Sequence, residues 1–428
     1  MSEEVGWASG TLIELAEFHN GASFGPSDWS EDGLQIIRIE QLNNTEAKTD
    51  KYDGTFTKNI FIEKGDLVFS WSATLKVVLW AGSPGVLNQH LYKVVPRNGV
   101  CGELLLHILD FHMDKLAGQS QGSTMRHVTR KELSRFKVCY PRDFGTQERV
   151  ASVLRSVDQA IQKTETLIEK YQKIKTGLMH DLFTRGIGTD GKLRPPREEA
   201  PGLYQETANG WIPREWASGC LLDVCDSDRQ PILTGPFGAD LSNSDFVEDG
   251  VPLLRIGNVQ AGQLSLQSLL FVSEQKAKQL ARYKITKTDL LFARQGATTG
   301  RNCLADSSVE GWLINYHIIR VALDSNVCFP VFIEGIFNSH VVQRQIERDK
   351  GRGTREGINT QQLLDLVIPL PGFEEQRRMN DLIRGSAKKI ELEERSLASQ
   401  RAVKSGLMQD LLTGRVSVPT PAPESTAA

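Results

Sequence analysis

Residues 176–187 read T-G-L-M-H-D-L-F-T-R-G-I, and residues 405–416 read S-G-L-M-Q-D-L-L-T-G-R-V. Gly177 and Gly406 stand 229 residues apart (406 − 177), and the same offset links Gln147 with Gln376, Arg155 with Arg384, Ile161 with Ile390, Glu165 with Glu394 and Lys175 with Lys404. Loops accept insertions and deletions. A helix does not, because each added residue advances the chain by ~1.5 Å and turns it by about 100°. A constant offset over so long a stretch therefore marks a tandem duplication whose most length-constrained element is a long helix present twice.

The apolar pattern agrees. From Gln147 to Phe183, Val150, Leu154, Val157, Ile161, Ile168, Tyr171, Leu178 and Leu182 fall on the a and d positions of one heptad frame, interrupted at Thr164 and Lys175. Pro141 and Asp143 precede this run as breaker and cap, and Gly186 and Gly188 follow it. The spacing predicts a rod of roughly 55 Å. A second helix over Glu375–Leu412 has a weaker seam. Met379, Ile383, Ile390, Leu397, Leu407 and Leu411 hold it, whereas Ser386, Glu393, Gln400 and Lys404 do not. Antiparallel packing of the two rods would set the duplicated units pseudo-symmetrically at opposite ends. Such a pair hides only part of its apolar surface. Val150, Leu154, Val157, Ile161, Ile168, Leu178, Ile383, Ile390, Leu397 and Leu407 are thus candidates for contact with partner helices in a larger bundle.

Residues 1–145 carry short alternating runs that predict strands at 34–39, 66–71 and 91–95, and a helix over Glu103–Leu116. This is a mixed α+β pattern with helices against a largely antiparallel sheet. Residues 146–184 form the first rod, and 185–210, rich in Gly, Pro and charge, read as a linker or exposed loop. A second α+β unit spans 211–374, the second rod 375–415, and a tail expected to be disordered 416–428. The second unit repeats the landmarks of the first. Trp7 recurs as Trp216, Leu34–Ile39 as Val251–Ile256, Asp66–Phe69 as Asp289–Phe292, Leu87–His90 as Ile314–His317, and Thr124–Pro141 as Thr354–Pro371. The offset between them drifts from 209 to 230 (216 − 7, 354 − 124), so loops vary on a common frame.

Catalytic signatures are missing one after another. Gly296-Ala297-Thr298-Thr299-Gly300-Arg301 lacks the spacing and lysine of a phosphate loop, and no G-x-G-x-x-G follows a strand. Pro195-Pro196 is followed by Arg197 and is unlike the loop with which amino-methyltransferases hold a flipped base. No H-E-x-x-H or G-x-S-x-G occurs. Six cysteines form no C-x-x-C pair and read as buried thiols rather than metal ligands, which predicts a reducing compartment. The acidic N-terminus lacks an apolar signal core, and no run approaches a membrane span, so the expected location is cytoplasmic. The chain reads as a binding or scaffolding protein. Its net charge of −3 means that any surface for nucleic acid is local.

Two α+β units on matching rods suit a ligand with two separated half-sites, and duplex DNA is the natural candidate, since the rod length spans about one and a half turns. Glycine-rich polar loops recur at equivalent places, Gly118–His127 and Arg348–Arg355, where Ser123, Thr124, Arg126, Arg352, Thr354 and Arg355 are suited to phosphates and base edges. Ser70, Ser72, Thr74 and Lys76 follow one predicted strand, and Arg294 and Gln295 follow its counterpart, as candidate readers. Trp71 is equally compatible with a core. Arg38 and Arg255 read either as buried structural arginines or as DNA contacts. Asn88-Gln89-His90 and Asn315-Tyr316-His317 have a catalytic look in isolation, but their place between strands favours structural hydrogen bonding.

These residues carry a family likeness. Gly235-Pro236-Phe237-Gly238 followed by Val251–Asn258, Gly65–Ser72, Leu87–His90, Gly122–His127, and Pro369-Leu370-Pro371 with Glu375–Arg378 resemble, together with the twin helix ends and in this order, a specificity subunit of a type I restriction-modification system. The resemblance covers all but the tail. It implies an α+β fold: two target-recognition domains related by internal duplication and separated by two long antiparallel coiled-coil helices. It further implies a non-catalytic subunit whose domains each read half of a bipartite double-stranded DNA target, with two modification (methyltransferase) subunits docked on the helices. S-adenosylmethionine would sit on those subunits for methylation of adenine N6. ATP and Mg2+ would sit on restriction (translocase/nuclease) subunits, leaving no cofactor, metal or membrane for this chain. The first half carries Phe24-Gly25-Pro26-Ser27 where the second has the G-P-F-G run, which predicts unlike half-sites. Alternatives are the specificity partner of a fused type II methyltransferase-nuclease, a decoy that caps modification subunits without reading DNA, and an unrecognised hydrolase.

Overall fold

Both long helices form, and both begin before the heptad pattern does: Phe144–Thr184, of 41 residues, and Phe373–Leu411, of 39. The first is capped by Asp143, whose carboxylate accepts from the Thr146 amide and hydroxyl, each at 2.7 Å. Those bonds hold the Asp143 carboxyl below the usual range. The computed structural model describes residues 6–72, 74–118, 127–207, 210–350 and 357–418. The chain divides into two compact units, residues 1–167 with 393–428, and residues 168–392. Each unit thus takes the start of one long helix and the end of the other. Within the first unit the two helices run antiparallel, Glu165 bonding Arg401 at 2.7 Å and Asp158 bonding Lys404 at 2.9 Å.

Each unit is built on the same strand order. In the first, Ala16–Asn20, Leu91–Pro96, Leu67–Ser70 and Lys76–Leu79 lie side by side in that order as an antiparallel sheet. In the second, Ile232–Thr234, Ile318–Val321, Leu290–Ala293 and Asn302–Leu304 repeat it. A further sheet in each unit holds one parallel pair, Leu34–Ile37 with Gly85–Leu87 and Val251–Leu254 with Leu313–Ile314. A strand pair closes each unit just before its long helix begins, Trp7–Thr11 with Lys137–Pro141 and Ala217–Cys220 with Val367–Leu370. The central strands are covered on both faces, every residue of Leu67–Ser70 and Leu290–Ala293 being buried, and Phe69 and Phe292 are fully buried at matching positions.

A duplicated glutamine fastens each long helix to its unit. Gln147 is 1% exposed and Gln376 3%. Gln147 Oε1 accepts from the Cys101 amide at 2.8 Å, at the start of the helix Gly102–Phe111, and its Nε2 donates to the Pro141 carbonyl at 2.9 Å. Gln376 Oε1 accepts from the Phe329 amide at 3.1 Å, at the start of the helix Pro330–Asn338, and its Nε2 donates to Pro371 at 2.9 Å. An orphan helix-start amide and a strand-end carbonyl are thereby satisfied by one side chain in both halves.

Two expectations need correction, and the seam residues find neighbours within the chain. The segment after the first rod is not a free linker. Ile187, Arg194 and Tyr204 are buried, Tyr204–Thr207 pairs with Gly210–Pro213, and Arg194 Nη1 sits 2.5 Å from Glu375 Oε1 and hydrogen-bonds Glu215 as well. Gly, Pro and charge hid a fold held by an ion pair between residues far apart in sequence. The helix expected over 103–116 breaks at His112 into Gly102–Phe111 and Met113–Gly118. The seam residues, finally, are largely consumed within the chain. Val150 and Leu154 lie in the first unit's core with Leu12, Leu105 and Leu411, and Leu407 packs against it. Ile383 lies in the second unit's core with Leu182 and Met379, and Leu178 packs against that one. Ile168 is buried too, while Val157, Ile161, Ile390 and Leu397 are half-buried.

Candidate nucleic-acid interface

The residue after each central strand is held from both sides by the same backbone bonds. Trp71 donates its amide to the His90 carbonyl at 3.3 Å, and its carbonyl accepts from Val128 at 2.9 Å. Arg294 donates to His317 at 3.1 Å and accepts from Ile358 at 2.8 Å. One residue on, Ser72 bridges to His127 and Gln295 to Gly357. Positions 71 and 294 are therefore structural equivalents, each gripped where a glycine-rich loop rejoins its unit.

The flanking turns are equally duplicated. Asn88 and Asn315 donate their amides to Ile37 and Leu254, and their side-chain oxygens accept from the amides of His90 at 3.4 Å and His317 at 3.0 Å. This is the structural task that competed with a catalytic one for the two triplets. Against each turn packs a glycine that no larger residue replaces. A Cβ on Gly21 would lie 2.2 Å from the Asn88 carbonyl oxygen, and one on Gly235 would lie 2.1 Å from that of Asn315. Their amides bond Leu91 and Ile318. The counterpart of the G-P-F-G run is thus reached from Gly21, not from Phe24-Gly25-Pro26-Ser27. A shared glycine contact, invisible in a search for the whole motif, gives the alignment.

The side chains on this frame differ. In the first unit the half-buried Trp71 lies among His90, Tyr92 and His127, with ring centroids 5.8–5.9 Å apart. In the second, Arg294 lies over the Phe237 ring at 6.0 Å, and Phe237 tilts against Tyr316 at 5.6 Å. Phe237 is 55% exposed and Tyr316 40%. Gln295 Oε1 is 2.6 Å from His317 Nδ1. Burial, and then the Arg294 charge, hold the His317 imidazole below its ordinary pKa, so the ring is neutral near pH 7. Burial alone lowers the Arg294 guanidinium.

Not every expected reader faces outward. Ser70 is fully buried with its hydroxyl on the Thr74 carbonyl at 2.7 Å, and Ser72 is buried beside the His127 bridge, so both are turned into the unit. Lys76 spends its ammonium on the Leu42 carbonyl and Asn43 Oδ1, both at 2.9 Å. Thr74 is exposed, whereas Arg294 and Gln295 are half-buried at the loop root. Ser123, Thr124, Arg126, Arg352, Thr354 and Arg355 lie outside the described residues, as do Ala73 and most of the tail. Arg38 takes its structural reading, paired with Asp50 at 2.8 Å over the Trp29 ring. Arg255 bonds the Ser268 carbonyl. Burial pushes the Cys303 and Cys328 thiols up to about 12, leaving them protonated and inert. Among the described residues no cluster of three or more His, Cys, Asp or Glu is placed to hold a metal, and no helix is long and apolar enough to cross a membrane.

The family model of the type I restriction modification DNA specificity domain matches residues 4–173 and, again, 213–399. The chain belongs to that family. Over 365 residues this specificity subunit is 23% identical to the type I restriction enzyme MjaVIII specificity subunit of Methanocaldococcus jannaschii, covering 84% of this chain and 81% of that one. Over 378 residues it is 21% identical to the type I restriction enzyme EcoBI specificity subunit of Escherichia coli, covering 87% and 77%. A solved chain from a study of complex assembly and conformational transition of the type I R-M system matches with a TM-score of 0.59 at 15% identity, over 96% of this chain and 99% of that one. The type I S subunit from M. genitalium matches with a TM-score of 0.55 at 14% identity, over 96% and 97%. At those identities the likeness speaks for the fold. The specificity subunit is a non-catalytic DNA-recognition component of the type I restriction-modification kind.

Proposed function

We propose that residues 1–145 read one half of a bipartite, asymmetric target on double-stranded DNA, that residues 211–374 read the other, and that the long helices set the spacing and dock two modification subunits. The reading rests on one observation. An identical backbone cradle occurs in both units and presents an indole in one and a guanidinium in the other. A repeated frame with unlike contact groups suits two related tasks on two different sequences. Thr74, Arg294 and Gln295, with the loops at 123–126 and 352–355, supply contacts in this reading. Methylation with S-adenosylmethionine, and translocation and cleavage with ATP and Mg2+, belong to the modification and restriction subunits of a cytoplasmic complex.

The docking faces are better sought among exposed apolar side chains than on the buried seam. Val153 and Leu382, Ile174 and Val403, and Phe144 and Phe373 are all exposed, and each pair again stands 229 residues apart (382 − 153, 403 − 174, 373 − 144). Exposure of large apolar groups at the same place in both copies suits one kind of partner bound twice. The test is a graft. With residues 211–374 replaced by those of another family member, methylated adenines in the host genome are mapped by single-molecule sequencing. One half of the motif is expected to change and the other to stay. A change in both halves, or in neither, refutes the modular reading.

A further inference from the structure

Buried guanidinium groups in this chain have carboxylates. Arg194 has Glu375 and Glu215, and Arg320 and Arg229 share Asp289. Arg294 and Arg378, both half-buried, have no carboxylate among the described residues, and Arg294 alone of the two stands beside a glycine-rich loop. Its Nε is withdrawn from solvent and has no acceptor among the described residues, and its only electrostatic perturbation is burial. At the equivalent position of the first unit, Trp71 Nε1 is likewise buried with no acceptor. A desolvated donor left unpaired carries the full cost of its lost hydration. Eleven buried side-chain atoms among the described residues lack a partner, and these two stand apart in occupying the same gripped position of both units, on side chains of unrelated chemistry, which is the place where an acceptor from outside the chain would meet both.

We propose that Arg294 reads a guanine in the half-site of the second unit, its guanidinium donating to N7 and O6 at the major-groove edge. This rests on the bipartite reading above and adds a base to it. Three features favour a base over a phosphate. The guanidinium is set at the root of its loop and not at the end of a free, solvated side chain. The Phe237 ring lies 6.0 Å from its central carbon, a cation–π contact that favours one placement of the group. An all-donor fork matches the two acceptors of guanine, whereas adenine sets a donor beside its acceptor and cytosine offers a donor. Trp71 has a single donor and cannot make the two-bond pair, so this position distinguishes what the two units read.

The experiment uses the full-length subunit assembled with its modification subunit, and duplexes in which each base pair of both halves is varied in turn. For the wild-type complex, replacing one particular G·C pair in the second unit's half is expected to weaken binding by ~10–100-fold. Arg294→Ala should flatten the preference at that pair alone, leaving the other positions and the other half as they were. Arg294→Lys should do the same while retaining more overall affinity, because an ammonium keeps the charge but not the fork; it also serves if the alanine variant fails to fold in a thermal melt. Uniform weakening across all sequences, with the salt dependence falling by about one phosphate contact, would mean backbone binding and overturn the proposal. So would a half-site without guanine, or unchanged base preferences in both variants. A graft of 211–374 that still switches half of the motif would confine the failure to Arg294; a graft that switches nothing would remove the underlying reading as well.

Discussion

Strands Leu67–Ser70 and Leu290–Ala293 both begin one residue after an aspartate, and the surroundings of the two aspartates differ more than the strands do. Asp66 meets one cation, Lys93, at 2.8 Å. Asp289 meets two, Arg229 through paired bonds of 2.7 and 3.0 Å and Arg320 at 3.6 Å. Lys93 and Arg320 face the strand from the same register position, opposite Val68 and Leu291. Arg229 has been added from a preceding loop. The same economy appears after the central strands, where one cradle carries Trp71 or Arg294. Backbone pairing and the residues that satisfy it were kept through the duplication, while side chains on connecting loops were free to diverge.

The comparison breaks most readily at the aspartates. Asp289→Ala strands two guanidinium groups, one of them only 3% exposed, and is expected to destabilise the second unit by about 3–5 kcal/mol. Asp66→Ala, which frees a single flexible ammonium, should cost the first unit about 1–3 kcal/mol. Denaturant midpoints measure both, and equal losses would show that the extra arginine adds nothing. The glutamine joints should behave in the opposite way. Gln147→Ala and Gln376→Ala are each expected to cost about 2 kcal/mol, because each leaves a buried amide and a buried carbonyl unpaired. Losses differing by more than about twofold would mean that the duplicated geometry is not duplicated energetics.

The smallest effect concerns pH. His112 lies between two helices of the first unit, where the second unit has Ser339 between Pro330–Asn338 and His340–Asp349. Burial between Phe111 and Phe136, and then Lys115, lower its pKa from 6.5 to about 4. Above about pH 6.5 the ring is neutral in folded and unfolded chains alike, and its contribution is fully present. Between 6.5 and about 4 the unfolded chain binds a proton that the folded one refuses, so stability is lost as the pH falls. His112→Phe should give the first unit a shallower slope across that window in thermal melts, with His107, also lowered by burial, left to account for the remainder. An unchanged slope would show that His112 is not the group responsible.

Long elements were legible in the sequence, and single environments were not. Heptad spacing located both helices to within a few residues, because periodicity is a property of consecutive side chains. Strands at 34, 67 and 91 were legible for the same reason. Position after a matching strand singled out Arg294 and Gln295, which lie half-buried at the loop root, and by the same logic Ser70 and Ser72, which fold inward. Alternation along a strand says which residues share a face, not where the loop beyond turns. The segment 185–210 reads as a linker or exposed loop because what holds it, Glu375 on Arg194, comes from 181 residues away. Gly21 escaped notice because its requirement is a carbonyl from another strand. A seam of a and d residues marked Val150, Leu154, Ile168 and Ile383 for burial, and the first two and Ile383 are covered from within the chain, since heptads do not say whether the covering surface belongs to the same chain.

Met408, Leu411 and Leu412 lie in a core otherwise built from Leu12, Leu15, Leu105, Val150 and Leu154. On the ribosome, the unit made first must therefore wait for residues 408–412 to emerge before its interior can close. The unit made second has its whole interior between residues 168 and 392 and can close sooner. Maturation runs against the order of translation, and a chain cut short near residue 400 would release an intact second unit joined to a first one with its interior open to solvent.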